Sequence, residues 1–409
     1  MDGETNGTRG DRRTDGVGDG AVDAPKVSVV LATYNRLDLL ERLLGTLSRQ
    51  TLPARSFEVI VVDDGSKVPV RDHVDPSRYP FALTLVEQRN AGPAAARHRG
   101  VLQARGEILV LIDDDMDLPQ GFLETHLSYH ASGRPTAVFG RYASDPRIDE
   151  KALFERYHGL KWDQLAEAAR TGTLSVDGTL LATGNASMRR EDYLRAGGLD
   201  PSLPRAEDMA LGLDLEELGV DLVFSNDAYS VHLSDHVEPE KWRARAFLHG
   251  TLEPRIARKH PTMAHADPWR FAFSLPLAGR LLCVPAMVSP RAGKALADAA
   301  FAVARRADEL GFERTAMRAT GLVFGMEYFR GMREEAGSLR GMVTGCLGFL
   351  RKAASARRPV RGVPGWLARA ASAAPRPRGD EAVQPAAPVQ PPAAAQPAAA
   401  PRPAATSRR

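Results

Sequence analysis

The sequence has few cysteines and no recognisable secretion signal. Among its 409 residues only Cys283 and Cys346 are cysteines, and they lie far apart without forming a CxxC pair. This pattern excludes a disulfide framework and a cysteine zinc site, and it fits a reducing compartment. The first two dozen residues contain Arg12-Arg13 but no apolar segment, so we predict a disordered arm and not an export signal.

Long apolar runs and a strong net charge are also absent. The longest mostly apolar stretch, residues 271–288, is interrupted by two prolines and by Arg280, so no transmembrane helix is predicted. The 54 basic and 51 acidic residues give a net charge of only +3. Nucleic-acid-binding domains usually carry a much more basic face, and we therefore predict no nucleic-acid partner.

Two glycine-rich phosphate-binding motifs are missing. No GxGxxG follows the first predicted strand, and no GxxxxGK[ST] occurs in the chain. These absences argue against a dinucleotide-dependent oxidoreductase and a P-loop phosphotransferase. A nucleotide that is held without such a loop needs another group for its phosphates, and a divalent cation can serve.

Three predicted strands, at 27–32, 57–62 and 108–112, each run into a polar cluster. The clusters are, in order, Thr33, Tyr34, Asn35 and Arg36; Asp63 and Asp64; and Asp113, Asp114 and Asp115. Helical patterns separate the strands, and such alternation is typical of a mostly parallel α/β sheet whose strands share one carboxyl edge. We therefore expect the three clusters to meet at a ligand-binding rim.

The strand at 108–112 leads into three consecutive aspartates. Its five residues are all aliphatic, which predicts a strand that is covered on both faces. Three adjacent carboxylates repel one another unless a cation neutralises them, and hard divalent ions prefer oxygen ligands. An acidic turn that starts the next helix is the alternative. The convergence of the polar clusters at one rim favours the metal site.

Together these segments resemble the family 2 glycosyltransferases of the GT-A fold. The resemblance depends on the first two strands with their clusters, on residues 90–100, on Asp113-Asp114-Asp115 and on a later Glu207-Asp208 pair. It implies an α/β fold with a Rossmann-like, mostly parallel sheet flanked by helices, followed here by an appended helical region. One departure is His98, where members of the family usually have asparagine.

The resemblance also implies roles for the residues at the rim. Nucleotide and donor binding would involve Thr33, Tyr34, Asn35, Arg36, Asp63, Asp64, Arg97, Asp113 and Asp114. A divalent cation, Mn²⁺ or Mg²⁺, would be held by Asp113, Asp115 and His232.

Three of these residues also have simpler interpretations. Tyr34 could be a loop aromatic on the sheet edge, Arg97 a solvated helix residue and His232 a lone surface histidine. We reject a zinc pair of His232 with His236, because the residues before His232 alternate like a strand and not like a helix.

The second half of the catalytic region is predicted to bind the acceptor. Residues 184–190 and 193–200 resemble the acceptor-side segment of the family, and Glu207-Asp208 opens a predicted helix. Two acids at a helix start often only complement the helix dipole. Inverting transfer to a hydroxyl, however, needs a carboxylate that takes the acceptor's proton. We therefore predict Asp208 as the general base and Glu207 as the residue that orients the acceptor.

Composition divides the chain into four predicted parts. These are a disordered N-terminal arm at 1–25, a catalytic domain at 26–260, a helical region at 261–352 and an Arg-, Ala- and Pro-rich disordered tail at 353–409. Within the catalytic domain, residues 26–118 form the predicted nucleotide-binding half and residues 119–260 the acceptor half.

Local patterns in the second half predict a strand at 180–188, two short strands at 220–225 and 228–232, and a helix at 240–259 that Pro254 should kink or break.

Basic, partly apolar helical patterns follow in the C-terminal region. They form either a cap on the catalytic core or a surface that rests on an anionic membrane. Apolar helical stripes are more often buried against protein, which favours the cap. The expected location is cytoplasmic, with peripheral contact at the inner face of the membrane as an addition.

The predicted function is metal-dependent, inverting transfer of a sugar from a nucleotide-diphosphate donor to a hydroxyl of a glycan, a lipid-linked molecule or a small molecule. The nearest enzymatic alternative is a sugar-phosphate nucleotidyltransferase. Those enzymes typically carry a glycine-rich loop after the first strand, whereas residues 33–36 contain no glycine. A non-catalytic sugar-nucleotide-binding partner in a polysaccharide assembly complex is the alternative from another class.

Overall fold

The computed structural model describes residues 24–233 and 238–355. The predicted N-terminal arm and C-terminal tail lie almost wholly outside these ranges, and so does His236. Of the predicted tail, residues 353–355 are described, and they end the last helix.

Strands and helices alternate in the first half of the described chain, and helices dominate the second. The strands are β1 (Val27–Thr33), β2 (Phe57–Asp63), β3 (Ala82–Glu87), β4 (Ile108–Ile112), β5 (Met116–Asp117), β6 (Thr136–Ser144), β7 (Asn185–Arg189) and β8 (Asp221–His232). The α-helices are α1 (Leu37–Leu47), α2 (Pro93–Gln103), α3 (Phe122–Ser128), α4 (Leu153–Arg170), α5 (Arg190–Arg195), α6 (Glu207–Glu217), α7 (Pro239–Lys259), α8 (Trp269–Ser274), α9 (Leu277–Val288), α10 (Pro290–Glu309), α11 (Glu313–Glu335) and α12 (Leu339–Ser355).

All the strands belong to one sheet with the order β3-β2-β1-β4-β7-β6-β8-β5. The neighbours β3, β2, β1 and β4 are parallel. β7 is antiparallel to both β4 and β6, β6 is parallel to β8, and β5 is antiparallel to β8. The predicted α/β class is confirmed, with a parallel first half and a mixed second half. The carboxyl ends of β1, β2 and β4 consequently lie along one edge.

Helices bury both faces of this sheet. Leu31 of β1 packs with Leu40 and Leu44 of α1 on one face, and Val30 packs with Ala96 of α2 on the other. All five residues of β4 are buried, as the run of aliphatic side chains predicts. This packing fixes the end of β4, and with it the backbone of the three aspartates that follow.

The strand predicted at 180–188 starts later than expected. Asp177 opens a 3₁₀ turn at residues 178–180, because its Oδ1 accepts a hydrogen bond from the Thr179 backbone N–H at 2.9 Å. An aspartate that satisfies nearby backbone groups competes with strand pairing. Only Asn185–Arg189 form β7, and Thr183 and Gly184 are therefore loop residues at the rim.

The two strands predicted between residues 220 and 232 are one strand, β8. The turn-forming pair Asn226-Asp227 lies in a bulge, because β6 and β8 change register between the pairs Gly140–Ser225 and Tyr142–Ser230. Ser225 Oγ accepts hydrogen bonds from two backbone N–H groups of the bulge, at 3.2 and 3.0 Å. The strand therefore continues past residues that usually end one.

α7 runs through Pro254 without the predicted break. Before the proline, Arg243 Nε donates a hydrogen bond to Glu327 of α11 at 2.8 Å. After the proline, Arg255 forms an ion pair with Glu335, also of α11, at 2.8 Å. Contacts to α11 on both sides of the proline offset the hydrogen bond that proline removes.

The C-terminal helices pack on one another and on α4. Arg156 of α4 forms ion pairs with Asp308 of α10 and with Glu313 of α11. The predicted helical C-terminal region is therefore confirmed. Across residues 24–233 and 238–355, no helix combines the length and the apolar character that crossing a membrane requires.

Candidate active site

The polar clusters that follow β1 and β4 meet at the rim of the sheet. Thr33 Oγ1 donates a hydrogen bond to Asp114 Oδ2 at 2.7 Å, while Arg36 Nη1 donates to Asp114 Oδ1 at 3.1 Å and to Asp115 Oδ2 at 2.8 Å. Burial raises the pKa of Asp114 to about 6, although the charge of Arg36 opposes this shift. Arg36 thus balances part of the negative charge of the aspartates.

Asp64, the residue directly after β2, orders the loop that precedes α2. Asp64 Oδ1 accepts hydrogen bonds from Gln88 Nε2 at 2.7 Å and from the Ala91 N–H at 2.8 Å, and Oδ2 accepts one from the Gly92 N–H at 2.9 Å. The side chain is buried. Since each carboxylate oxygen can accept two hydrogen bonds, Oδ2 keeps one lone pair for another donor.

The loop after β1 is tied to the loop after β2. Asn35 adopts a left-handed backbone with φ of 56°, and its Oδ1 accepts a hydrogen bond from the Lys67 N–H at 2.8 Å. Its own N–H donates to Ser66 Oγ at 2.9 Å, while the Ser66 N–H donates to Asp63 Oδ1 at 2.8 Å. Tyr34, held between these contacts, has 46% of its surface exposed. An exposed aromatic ring is therefore presented beside the buried aspartates.

Asp115 and His232 lie together because β5 and β8 pair antiparallel, with Met116 opposite His232. His232 Nε2 is 3.5 Å from Asp115 Oδ1, which is too long for a strong hydrogen bond. Asp115 Oδ1 is buried and has no hydrogen-bond partner. A carboxylate oxygen without a partner next to an imidazole nitrogen fits a divalent cation.

Asp113 lies with a different group of charges. Arg97 of α2 donates a hydrogen bond to Asp113 Oδ1, and its Nη1 is 4.0 Å from Glu207 Oε1. The arginine is almost fully buried, and its charge also acts on Asp208. The structure thus joins Asp113 to the Glu207-Asp208 pair of α6, whereas Asp115 faces His232.

Asp208 is a partly buried carboxylate whose proton affinity is raised. Thr183 Oγ1 donates a hydrogen bond to Asp208 Oδ1. Burial raises the pKa of Asp208 to about 7; the negative charge of Glu207 acts in the same direction, and Arg97 opposes it. A carboxyl group with this pKa can accept a proton at neutral pH, which is the property that a general base needs.

Comparison with known proteins assigns the first part of this rim to a family. Residues 28–195 match the family model described as glycosyl transferase family 2. The chain therefore contains a family 2 glycosyltransferase domain. The matched segment includes the clusters after β1, β2 and β4, and it ends before Glu207 and Asp208.

Curated relatives of this glycosyltransferase domain are named as glycosyltransferases. Validoxylamine A glucosyltransferase of Streptomyces hygroscopicus subsp. jinggangensis is 28% identical over 264 residues, which cover 58% of this chain and 62% of that protein. Pre-mycofactocin glycosyltransferase of Mycobacterium tuberculosis is 27% identical over 238 residues, 58% of this chain and 48% of that protein. The chain thus spans less than two thirds of the length of these relatives.

A solved structure is also similar to the glycosyltransferase domain and its helices. The mannosyltransferase PcManGT from Pyrobaculum calidifontis, in complex with GDP-Man and Mn²⁺, has a TM-score of 0.47 and 23% identity, covering 79% of this chain and 87% of that chain. A likeness of this degree assigns no ligand to this chain. The sheet order, flanking helices and helical C-terminal region agree with the GT-A class predicted from the sequence.

Gly184 of the glycosyltransferase domain provides space for two side chains of the site. A Cβ atom at this position would lie 2.2 Å from Asp113 Oδ2 and 2.3 Å from Tyr142 Oη. Burial raises the pKa of Tyr142 well above its usual value, and the negative charges of Asp113 and Asp208 add to the shift. The phenol therefore stays neutral, and its ring stacks on Trp162 with centroids 4.3 Å apart.

A cleft of about 170 Å³ opens beside Glu207 and Asp208. Its other wall is formed by α7, through His249 and Glu253, and Arg205 lies at its edge. Residue Ala206, just before α6, has a left-handed backbone with φ of 60°, a conformation that costs a non-glycine residue energy and is often found at functional sites. The cleft connects the glycosyltransferase domain with the helices that follow it.

Arg245 is a half-buried cation close to the aspartates. Burial lowers the pKa of Arg245 to about 10, and the positive charges of Arg205 and Arg36 lower it further, while the negative charges of Glu155 and Asp115 oppose the shift. Among the residues that the structure describes, neither Arg245 nor Arg205 forms an ion pair with a carboxylate. Clustered cations without anionic partners are typical of anion-binding sites.

The sequence did not identify Thr183, Arg205, Arg245 or His249 as site residues. Thr183 lies in a loop where a strand was predicted, and Arg245 and His249 belong to a helix whose packing partner is not encoded locally. Their spacing of four residues places them on one face of α7, and this is the sequence signal that could have linked them.

Replacing Gly184 by alanine should disturb the site, because the added Cβ overlaps Asp113 and Tyr142. We expect Gly184→Ala to lower the free energy of unfolding in urea by about 1–3 kcal/mol. The control is Gly121→Ala, since no atom lies within 4 Å of a Cβ at position 121. Equal stability of the two variants would contradict the close contact at Gly184.

Proposed function

We propose that the protein is a metal-dependent, inverting glycosyltransferase that moves a sugar from a nucleotide diphosphate to a hydroxyl acceptor. The observation that carries this proposal is the juxtaposition of two acidic centres on one rim. The Asp115–His232 pair fits a cation, and Asp208 has a pKa suited to proton transfer. The buried Arg97 links the second centre to Asp113, which follows the same strand as Asp115.

The nucleoside is proposed to lie over the loops after β1 and β2. Tyr34 presents an exposed ring on which a base can stack, since bases and aromatic rings stack face to face. Asp64 Oδ2 keeps a lone pair that can accept a hydrogen bond from a base N–H. Thr33, Asn35, Arg36, Asp63 and Asp114 shape this part of the rim through the hydrogen bonds described above.

Asp115 and His232 are the residues that would hold a divalent cation. Carboxylate oxygens suit both Mg²⁺ and Mn²⁺, while an imidazole ligand favours the transition ion, Mn²⁺. When bound, such an ion supplies positive charge that stabilises the leaving diphosphate. The resemblance to the family implies Asp113 as a third ligand of the cation, and we keep this assignment in the proposal. Arg97 donates a hydrogen bond to one oxygen of Asp113.

The donor diphosphate is proposed to bind between the aspartates that follow β4 and two arginines. These are Arg245 of α7 and Arg205, which lies just before α6. Neither Arg245 nor Arg205 forms a direct ion pair among the described residues, although the charges of Glu155 and Asp115 act on Arg245. Arginine binds phosphate oxygens through charge-assisted, often paired hydrogen bonds. This arrangement supports a diphosphate donor over a neutral one.

Asp208 is proposed as the general base and Glu207 as the residue that orients the acceptor. Both side chains line the cleft that opens to α7. A hydroxyl that enters the cleft and contacts Asp208 can transfer its proton as it attacks the sugar, with the diphosphate leaving on the opposite side. A nucleotidyltransferase has no need of a base for an acceptor alcohol, and a pure binding protein has no need of a carboxyl group with a pKa near 7, so Asp208 disfavours both alternatives.

Replacing Asp208 by asparagine removes the proposed base and keeps the shape of the side chain. We expect transfer to fall by about 10²- to 10⁴-fold, while Mn²⁺-dependent binding of the donor nucleotide is retained. The donor would first be found by a thermal-shift screen of UDP-, GDP- and TDP-sugars, because a ligand of the folded state raises the melting temperature. Asp214→Asn, on the same helix and outside the cleft, is the control.

The same assignment has a pH dependence. Only the deprotonated form of Asp208 accepts a proton, so the transfer rate should rise with pH and level off above the pKa of about 7. The groups that act on this carboxyl are Glu207, Arg97, Thr183 and Asp113. A rate that is flat between pH 6 and pH 8, or an equal loss of binding and transfer in Asp208→Asn, would remove the general-base assignment.

Replacing Arg245 by alanine tests the diphosphate site. A hydrogen bond to a charged group contributes about 1.5–3 kcal/mol, so the nucleoside diphosphate should bind about 10- to 100-fold more weakly, while the parent nucleoside binds as before. Isothermal titration of both ligands measures this difference. Arg258→Ala is the matched control, because Arg258 lies on the same helix and pairs with Glu335. Unchanged diphosphate affinity in Arg245→Ala would exclude the contact.

Peripheral contact with an anionic membrane is proposed for the C-terminal helices. On α9 the exposed fractions of Leu277, Leu281, Val284 and Val288 are 70, 63, 43 and 47%, and their spacing places them on one face. On α12, Leu339, Val343 and Leu347 are each about half exposed. Residues 356–378, which follow α12, contain six arginines and no acidic residue. Apolar side chains next to basic sequence are typical of segments that rest on anionic lipid.

Vesicle sedimentation tests this contact in the full chain. We expect binding to phosphatidylcholine vesicles that contain phosphatidylserine and little binding to phosphatidylcholine alone. The double variant Leu281→Gln, Val284→Gln should reduce the partition coefficient by about tenfold or more, since each buried side chain contributes about 1.5 kcal/mol or more. Leu102→Gln with Val68→Gln, two exposed apolar residues elsewhere, is the control. A stable dimer that loses self-association in the α9 variant, without vesicle binding, would overturn the proposal.

A further inference from the structure

We infer that the cleft between α6 and α7 is the acceptor subsite, and that His249 binds an acceptor hydroxyl next to the one that reacts. This inference rests on the proposed function and adds to it the residues and the chemical class of the acceptor. His249 lies beyond the segment that matches the family model, so the match assigns it no role.

The two walls of the cleft carry different chemistry. α6 supplies Glu207 and Asp208, and α7 supplies His249 and Glu253. A molecule whose hydroxyl contacts Asp208 therefore faces α7 with its remaining groups.

Glu253 fixes the orientation of the His249 ring. The two residues are four positions apart on α7, and His249 Nδ1 is 3.3 Å from Glu253 Oε1. Tyr328 Oη donates a hydrogen bond to Glu253 Oε2 at 2.6 Å, and Arg270 Nη2 is 3.9 Å from the same oxygen. These partners hold Glu253 in one position from the helices behind the cleft.

The same contacts determine which nitrogen of His249 is available. Burial alone would raise the pKa of Glu253, but the contacts with His249, Arg270 and Tyr328 outweigh this and lower it, so that the group stays a carboxylate. A carboxylate accepts the Nδ1–H of the imidazole, and the Nε2 atom is then the hydrogen-bond acceptor of the ring. In this tautomer the Nε2 atom of His249 can accept a hydrogen bond from a hydroxyl group in the cleft.

The charge of the cleft selects the class of acceptor. The carboxyl groups of Glu207, Asp208 and Glu253 line the cleft, whereas Arg205, which also lines it, is assigned above to the donor diphosphate. An acceptor in the cleft therefore meets carboxyl groups, which favour neutral or amine-bearing molecules over anionic ones. Because two hydroxyls are needed, one for Asp208 and one for His249, the acceptor is a polyhydroxylated molecule such as a sugar, an amino sugar or a cyclitol.

The class of acceptor is tested with the full-length protein, Mn²⁺ and the donor found in the thermal-shift screen. The probes are methyl α-D-glucopyranoside, glucosamine, myo-inositol and glucose 6-phosphate, with nucleoside diphosphate release and product mass as readouts. We expect at least one of the uncharged or amine-bearing probes to accelerate release above the rate in water, and glucose 6-phosphate to be the poorest. Acceleration by none of them, or best by the phosphate, overturns the inference.

The role of His249 is tested with the best probe. Loss of one hydrogen bond should raise the acceptor KM about tenfold in His249→Ala, while the dissociation constant of the donor is unchanged. His249→Gln, which keeps a polar atom in the cleft, should restore KM to within about threefold of the original value. Arg255→Ala is the control, because it removes a contact between α7 and α11 outside the cleft.

Each outcome of this second experiment is decisive. An acceptor KM that does not change in His249→Ala excludes the contact, and an equal increase in Arg255→Ala shows that the effect comes from helix packing. Failure of the unaltered protein to bind any nucleotide sugar would instead refute the proposed function, which keeps the two failures distinguishable.

Discussion

One buried cation holds the two halves of the site together. Arg97 extends from α2 and meets Asp113, which follows β4, and Glu207 and Asp208, which begin α6. Without this guanidinium three carboxyl groups would share a poorly solvated space, and the uncompensated charge of a broken buried pair costs about 3–5 kcal/mol. The position of α6 relative to the sheet therefore depends on an electrostatic balance, and so does the raised pKa of Asp208. A structural ion pair and the proposed general base are here parts of one network.

The parts of the fold that follow from local chemistry were predictable. β1, β2 and β4 are runs of aliphatic residues that end in polar clusters, and parallel strands bring their carboxyl ends to one edge. The loop interactions of Asp63 and Asp64 follow from the preference of aspartate for backbone N–H groups. Errors occurred where a polar side chain changed the local outcome, as Asp177 does before β7 and Ser225 does in β8.

The contacts that complete the site were not predictable, because they join segments that are distant in the sequence. The ion pair of Arg97 with Asp113 depends on how α2 lies on the sheet, and an alanine-rich helix gives no local sign of it. Arg245 and His249 belong to α7, whose position is held by its contacts with α11. A pattern of basic residues predicts a helix face, but it does not predict which surface that face meets.

The spacing of three α7 residues has a further consequence. Arg245, His249 and Glu253 follow one another at intervals of four, so a single helix carries the proposed phosphate contact, the proposed hydroxyl contact and the carboxylate that orients the imidazole. A helix moves as a rigid rod with a rise of about 1.5 Å per residue. A displacement of α7 would shift both of these contacts at once, and any coupling of the two subsites through this helix would be reciprocal. One rigid element thus sets the distance between the groups proposed to hold the two substrates.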